Sequence, residues 1–571
     1  MRSPLPTAVA EPRLRDLMRK AGVGRGLLKA RRWTRLIVDG DYRRSELQSW
    51  RDYRAFRRQH GAALGVPLFP NGHLRRSLIV SKGTLKDAHV EVALIKALQL
   101  GGFSSTVLTQ RSDLEKLYRL AVIDGVVRWE GFTDRPRQQE ADAIVRSASR
   151  LEDILAFEHE GARVGKFALS TTFRTLREGS IDLGDPRTRQ VLQQHLASGI
   201  ARATAAHRLL DSTTPDLAVF MGNRYTGQGE LMDVCLARGI DVITWFDAHR
   251  SSALMLKRYA AGNRDRHHGS IGDETWSWLT RMPWTERHRA ALRRELHDGY
   301  ASGDWYSRGG TQVNKTVVDR DRLLRTLRLD PTKPTAVIFP HIVWDATLFW
   351  GADLFPNYED WLVATAKAAC ANERLNWVIK IHPAHVAKAE HDRYTDEPAE
   401  LEILRRRVGP LPAHVTVIPP DTTINTWSLF AIMQCCLTVR GTIGIEAACM
   451  GIRVLTAGTG RYDHRGFTVD SDSREQYLQR LMTLERVPAM TDAERDLAER
   501  FAYGAFVARP WPLTTWTIDH GRDRGASMTV RMNARSADEL RAASDLRALA
   551  LWAADGRRED FVWAAGGSGD A

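Results

Sequence analysis

The sequence predicts a two-lobed α/β protein. Three observations lead there: short apolar strands alternate with helices along most of the chain, polar clusters fall just after those strands, and 571 residues exceed one ordinary core. The organising stretch is 436–463. A strand at 436–439 runs into Arg440-Gly441-Thr442, a helix at 443–450 stops at Gly451, and a strand at 452–456 leads to a glycine-rich loop. Gly441 is expected to let the backbone turn sharply and Thr442 offers a hydroxyl. The free amides of the helix start suit a phosphate or diphosphate. Glu446, one turn on, either takes two ribose hydroxyls or is a solvated helix residue.

The five cysteines, Cys235, Cys370, Cys435, Cys436 and Cys449, form no CxxC pair and read as buried thiols of a reducing cytosol. No apolar run approaches the roughly 18 residues of a spanning helix, and the N-terminus lacks the apolar core of a signal peptide, so a cytoplasmic protein is expected. The net charge of +13 is concentrated: residues 1–65 carry sixteen Arg and Lys against six Asp and Glu. So local an excess points to anionic lipid or nucleic acid. No recognition-helix or RNA-binding signature accompanies it, and nucleic acid is set aside.

Taken in order, helices are expected at 12–22 and 27–37, and a third begins at Ser45, with Leu47, Trp50, Tyr53 and Phe56 along one side and Arg51, Arg54, Arg57 and Arg58 on others. These basic amphipathic helices either lie on a membrane surface or dock their apolar stripe on the body of the protein. The first lobe opens with a βαβ unit: strand 78–81, the loop Lys82-Gly83-Thr84, helix 87–100 and strand 105–108. A helical region through about Asp211 precedes strand 217–221, the cluster Gly222 to Glu230, a helix to Arg238, and strand 241–245 ending in Phe246-Asp247-Ala248-His249-Arg250. In open parallel sheets the carboxyl ends of strands face the ligand crevice, so both clusters should line a site. Residues 299–334, with a helix at 319–327, read as the connection between lobes. The second lobe has strands at 336–339, 377–381 and 415–418, helices at 358–371 and 398–408, then the opening stretch; beyond Ser473 helix is expected, with a disordered end at 566–571.

Several chemistries drop out. Gly222 to Gly227 has the glycine spacing of a phosphate loop, but Gln228-Gly229 stands where Lys-Ser/Thr is needed, and no GxSxG elbow occurs. Asp470-Ser471-Asp472 reads better as helix capping than as a metal pair, and His382 with His385 lacks acidic or Cys partners for a metal; none is expected. His382, ending a strand with Pro383 stiffening the turn, either donates an imidazole N–H to a phosphate or sugar carboxylate, with Lys380 on the same side, or is bonded within a core turn.

The runs FPHIVWDATLFWG, LFPNYEDWLV, NWVIKIHPAHV, PPDTTINTWSL and TVRGTIGIEAACMGIRVLTAGTGRYDHRGFT, spread over 336–468, together resemble the bacterial capsule and surface-polysaccharide synthesis proteins; GNRYTGQGE and FDAHR also fit. That group includes Kdo transferases of capsule assembly. The resemblance implies a GT-B architecture of two Rossmann-like lobes, with the donor nucleotide held by the C-terminal lobe through His382, Gly441, Thr442 and Glu446, and the acceptor by the N-terminal lobe. The division expected along the chain is a basic extension 1–74, whose residues 1–65 lie outside the resemblance, an acceptor lobe 75–300, a linker 301–334, a donor lobe 335–510 and a helical extension 511–571. The expected activity is a glycosyltransferase using a nucleotide-sugar co-substrate, without metal or other cofactor, and a glycan or lipid-linked glycan acceptor. An anionic membrane surface is expected to meet residues 1–65, placing the protein peripherally on the inner face. Lys380, His382, Arg440 and the helix start would stabilise the departing phosphate, and Asp247 would serve as base or nucleophile, with His249 and Glu230 as alternatives. A UDP-sugar 2-epimerase of the same fold, or a non-catalytic polysaccharide-binding or assembly factor, would share these features.

Overall fold

The computed structural model describes residues 40–563, apart from 71, 73, 135, 307–310, 347, 393–395 and 521–527. The helices expected at 12–22 and 27–37, and the chain end at 566–571, lie outside the described residues. Two mostly parallel sheets form the frame, the first with an antiparallel edge at Ala253–Tyr259. The first contains β1 (Arg75–Val80), β2 (Phe103–Leu108), β3 (Gly125–Val127), β4 (Leu217–Phe220), β5 (Asp241–Asp247) and β6 (Ala253–Tyr259). The second contains β7 (Thr335–Ile338), β8 (Asn376–Lys380), β9 (Val415–Ile418), β10 (Met433–Thr438) and β11 (Arg453–Thr456). Their orders are β6-β5-β4-β1-β2-β3 and β11-β10-β7-β8-β9. Within each, the first five strands in chain order pair in parallel with the first strand at the centre. This is the doubly wound arrangement, used twice. Apolar runs such as Leu78-Ile79-Val80 and Val378-Ile379 are buried, as strands covered on both faces require.

The C-terminal region departs from the helical expectation. Beyond the helix Asp492–Tyr503 the chain returns to the first lobe, where β12 (Trp511–Pro512) adds antiparallel to the edge of β6, Trp511 pairing with Leu254. A hairpin of β13 (Trp516–His520) and β14 (Met528–Met532) follows, and the helix Ser544–Asp555 packs on the helix Leu85–Leu100. Pro512 is tolerated because it sits on an edge strand, and Trp511 and Trp516 are anchors buried in the first lobe's core. The lobe boundary also falls earlier than position 300. Leu279, Leu292, Leu296 and Tyr300 share one cluster with Val337, Val378 and Phe501 of the second lobe. The helix Glu286–Ser302 thus belongs to that lobe: an amphipathic pattern marks an apolar face but not its partner. The helix Gly40–Leu64 contains the segment expected from Ser45. It docks through Ala63, Leu64 and the Phe56 ring, 4.7 Å from that of His89, while Arg51, Arg54, Arg57 and Arg58 are exposed.

The chain crosses between lobes near Ser270 and again near Arg509, and one buried carboxylate joins both crossings. Asp560, with a side-chain exposure of 0 %, lies 3.0 Å from Lys257 Nζ and 2.8 Å from Arg509 Nη2, and accepts from the Gly272 amide at 2.7 Å. Arg509 Nη1 donates to the Ser270 carbonyl at 2.7 Å. Burial alone would raise the Asp560 carboxyl, but Arg509 and Lys257 hold it below the usual carboxylate range. Asp560→Ala leaves the buried Arg509 guanidinium without its carboxylate and Lys257 with Glu559 alone. It is expected to cost about 3–5 kcal/mol, read as a fall in thermal unfolding temperature, whereas a surface control such as Asp538→Ala is expected to change little.

Candidate functional site

Strand order reverses between β1 and β4 in the first sheet and between β7 and β10 in the second, the points outside which open parallel sheets bind ligands. At the second of these, β10 leads through Arg440 and Gly441 into the helix Thr442–Cys449, whose start no side chain caps. The Gly444 amide donates to the Gly441 carbonyl at 3.0 Å, and the Thr442 and Ile443 amides before it have no intrahelical partner by geometry. Gly441 has φ −63°, which any residue adopts; glycine is required because a Cβ would lie 2.8 Å from Thr438 Oγ1. This corrects the expected reason for that glycine. Arg461, from the loop after β11, reaches the helix start, with Nη2 donating to Thr442 Oγ1 at 2.7 Å and Nη1 to the Arg440 carbonyl at 3.1 Å. A guanidinium beside the positive end of a helix is a poor electrostatic match unless an anion joins them.

Arg440 turns away from this role. Its Nε donates to the Thr459 carbonyl and its Nη1 to the Phe349 carbonyl, both at 2.9 Å, and its Nη2 pairs with Asp353. The guanidinium therefore clamps two loops of the second lobe. Glu446 is 3 % exposed and accepts a hydrogen bond from the Tyr300 phenol, so it is neither a solvated helix residue nor open to a ribose unless Tyr300 yields. Burial raises its carboxyl to about 7. Lys380, buried at the end of β8, has its ammonium lowered to about 7 by burial and by the nearby charge of Lys315. His382 accepts from the Ala384 amide at Nδ1 (3.2 Å), which leaves the proton on Nε2, and burial keeps the ring neutral. His341, after β7, joins the group: its Nε2 accepts from the Arg440 amide at 3.3 Å, and its ring stacks on Tyr358 at 4.5 Å. Sequence reasoning passed over His341 and Arg461, whose only signal was a place in loops after strands.

In the first lobe the three expected catalytic residues separate. Asp247 is half-buried at the end of β5, in register with Leu254 of β6. His249 is 1 % exposed, with its ring between Trp305 and Phe506 and its Nε2 2.7 Å from Glu295. Arg250 also pairs with Glu295, at 3.0 Å. Glu230 is fully buried. It accepts from the Gly227 amide at 2.6 Å, and burial raises its carboxyl to about 8. It braces the 222–229 loop from below, so Glu230 and His249 are interior groups and Asp247 alone of the three is partly accessible. That loop delivers Tyr225, whose phenol donates to Asp345 of the second lobe at 2.5 Å; Lys388 Nζ lies 2.7 Å from the same carboxylate. Beside Tyr225 a cavity of about 430 Å³ opens between the lobes.

His385 Nε2 lies 2.8 Å from Glu400, and among the described residues no three His, Cys, Asp or Glu side chains are placed to hold a metal ion. Among them, too, no helix is long and apolar enough to cross a membrane.

Two doubly wound α/β lobes facing across one cleft define the GT-B architecture. The chain matches no family model and no curated sequence. Among solved structures it is similar to KpsC of Thermosulfurimonas dismutans, a beta Kdo 2,4 transferase, at 16% identity over 51% of this chain and 79% of that one, with a TM-score of 0.32. It is also similar to MnaA of S. aureus bound to UDP (12% identity, 76% and 93%, TM-score 0.27) and to the calicheamicin glycosyltransferase CalG4 (16% identity, 76% and 94%, TM-score 0.26).

Burial raises Glu91, Glu230 and Glu446 to about 7, 8 and 7 from an ordinary 4.5. The fold prefers each as the neutral acid, so the stability they contribute is complete below about pH 4.5 and is lost as pH rises through about 7 to 8. For Glu446→Gln, neutral at every pH, the fall in unfolding temperature from about pH 5 to 8.5 should be shallower than in the unaltered protein. An identical slope would count against this environment for Glu446.

Proposed function

We propose that the protein is a glycosyltransferase that moves a sugar from a nucleotide-activated donor to a glycan or lipid-linked glycan acceptor, in the synthesis of capsule or another surface polysaccharide. The observation that carries this reading is the uncapped helix start at Gly441-Thr442, with the Arg461 guanidinium beside it, at the switch point of a lobe facing a second lobe. In this reading the donor diphosphate accepts from the Thr442 and Ile443 amides and Arg461, and His382 donates to it through Nε2–H. Lys380 adds positive charge when protonated. Arg440 acts indirectly, holding the loops around the site, and Glu446 meets the ribose only when Tyr300 moves. The acceptor hydroxyl attacks the anomeric carbon, the bond to the diphosphate oxygen breaks, and Asp247 takes the acceptor proton; in a retaining enzyme the same carboxylate would attack first. Exposed Arg51, Arg54, Arg57 and Arg58 on the helix Gly40–Leu64 support seating on an anionic membrane that carries a lipid-linked acceptor.

A thermal-shift screen of nucleotides identifies the donor, because selective binding to the native state raises its apparent stability. His382→Ala is expected to weaken binding of that nucleotide by about 1.5–3 kcal/mol with the fold intact; unchanged affinity removes His382 from the site. With donor and acceptor supplied, Asp247→Asn is expected to lower turnover by roughly a hundredfold or more while nucleotide binding persists. Near-normal turnover would take the role from Asp247. An isomerised donor sugar without a new linkage would identify a 2-epimerase instead, and nucleotide binding without either product an assembly factor.

A further inference from the structure

At the first lobe's switch point β4 leads into the loop that carries Arg224, a half-buried guanidinium that the reading above does not use. Among the described residues it makes no hydrogen bond and no ion pair, and its Nε is buried without a partner. Its Cζ lies 5.4 Å from the centre of the Trp350 ring and 5.8 Å from that of Phe246. Trp350 belongs to the second lobe and takes φ +82°, a conformation that a bulky residue keeps only where its surroundings fix it. A first-lobe cation thus rests on a second-lobe ring with its N–H groups uncommitted.

Other basic groups gather at the same ring. His267 and His268, just before the crossing at Ser270, have ring centres 4.9 and 5.6 Å from that of Trp350, and His268 stacks on Phe246 at 3.9 Å. Arg461 closes the group, because a Cβ at Gly269 would lie 3.2 Å from both Arg461 Nη2 and His267 Nδ1. The acceptors of Arg461 are neutral, the Thr442 hydroxyl and the Arg440 carbonyl, and its Nε is buried with no hydrogen-bond partner. Burial, and then neighbouring charges that include Arg461 and Arg224, hold both imidazoles well below their ordinary range, so the two guanidiniums act on one region of positive potential. Asp345 feels the Arg224 charge, but it already holds Lys388 at 2.7 Å and the Tyr225 phenol, and Asp353 pairs with Arg440. Neither Arg224 nor Arg461 has a carboxylate partner among the described residues, and a partly desolvated cation is costly until an anion joins it. A phosphate suits two guanidiniums better than a carboxylate does, since it presents three oxygens and close to two charges, and arginine takes such oxygens through paired N–H donors.

We propose that Arg224 and Arg461 jointly bind one phosphate or diphosphate group, a guanidinium from each lobe, so that the anion joins the lobes across the cleft. Naming that group as the donor's diphosphate rests on the transferase reading; the binding itself does not. The test is calorimetry on the full chain with inorganic pyrophosphate, and then with the nucleoside diphosphate found by the nucleotide screen and its parent nucleoside. Pyrophosphate is expected to bind with an affinity that falls as salt is raised. Arg224→Gln is expected to weaken pyrophosphate and the nucleoside diphosphate at least about tenfold, to leave the nucleoside unchanged, and to keep the unfolding temperature of the ligand-free protein, because no partner is orphaned. Arg224→Lys, which keeps the charge and loses the fork, is expected to weaken both about threefold and supplies the test if the Gln variant does not fold. Arg208→Gln removes an exposed first-lobe charge that pairs with Asp134, and is expected to change neither affinity. No binding of pyrophosphate, unchanged affinity in both Arg224 variants, or an equal loss in Arg208→Gln, which marks diffuse charge rather than a site, would overturn the proposal. A nucleotide that binds through His382 but ignores Arg224 would leave the transferase reading standing, and pyrophosphate held by Arg224 in a protein that ignores nucleotides would leave this site standing without it.

Discussion

The relative placement of the lobes depends on one buried carboxylate. Asp560 collects Lys257 from the first sheet, the Gly272 amide from the outward crossing and Arg509 from the return. None of these charges can be left alone in an apolar seam, because desolvating an unpaired ion costs several kcal/mol. The arrangement ties Asp560 to both connections between the lobes. Its neighbours reinforce it: the Arg258 amide donates to the Glu559 carbonyl at 2.7 Å, and the Arg258 guanidinium reaches Asp241 at 2.8 Å.

Across the cleft the same accounting separates polar residues spent on architecture from those that face a ligand. Arg440 has donors on every guanidinium nitrogen committed within its lobe, Glu230 braces a loop, and His249 is wedged between aromatic rings. Each is a chemically capable group whose burial and bonding give it a supporting task. Of these, Arg440 supports the donor side directly: its Nε holds the Thr459 carbonyl and its own carbonyl accepts from Arg461. Precise placement of a few groups by many committed ones is what positions charge for chemistry.

The two lobes also divide electrostatic labour. The second brings a helix start and the Arg461 guanidinium to its switch point, and the first brings the Arg224 guanidinium after β4. The lobes meet through direct contacts, Tyr225 on Asp345 and the Phe167 ring stacked on Phe349 at 5.7 Å, so the groups on one side are set by packing on the other. A substitution at Phe349 would be felt at the helix that carries Arg174.

Much of the fold was legible in the residues alone. The helix Tyr358–Ala371 and strand Val415–Ile418 fall where periodicity and flanking turns place them, and the strands expected lie within three residues of their places, because apolar runs bounded by Gly, Pro and Asp are local signals; β3, in a stretch expected to be helical, and β6 were not foreseen. The loops after strands were legible for the same reason. What only the tertiary structure decided is direction and partnership. The sequence places Arg440 and Glu446 beside a phosphate-like turn, but whether a side chain faces a cleft or a neighbouring loop depends on residues far along the chain, Asp353 and Tyr300. It marks Leu292, Leu296 and Tyr300 as an apolar face without saying which lobe covers it, and it lists Lys82 and Arg174 far apart without saying that they line one cavity. Secondary structure is written in near-neighbour spacing; a site is written in contacts between distant segments, which exist only once the core has closed.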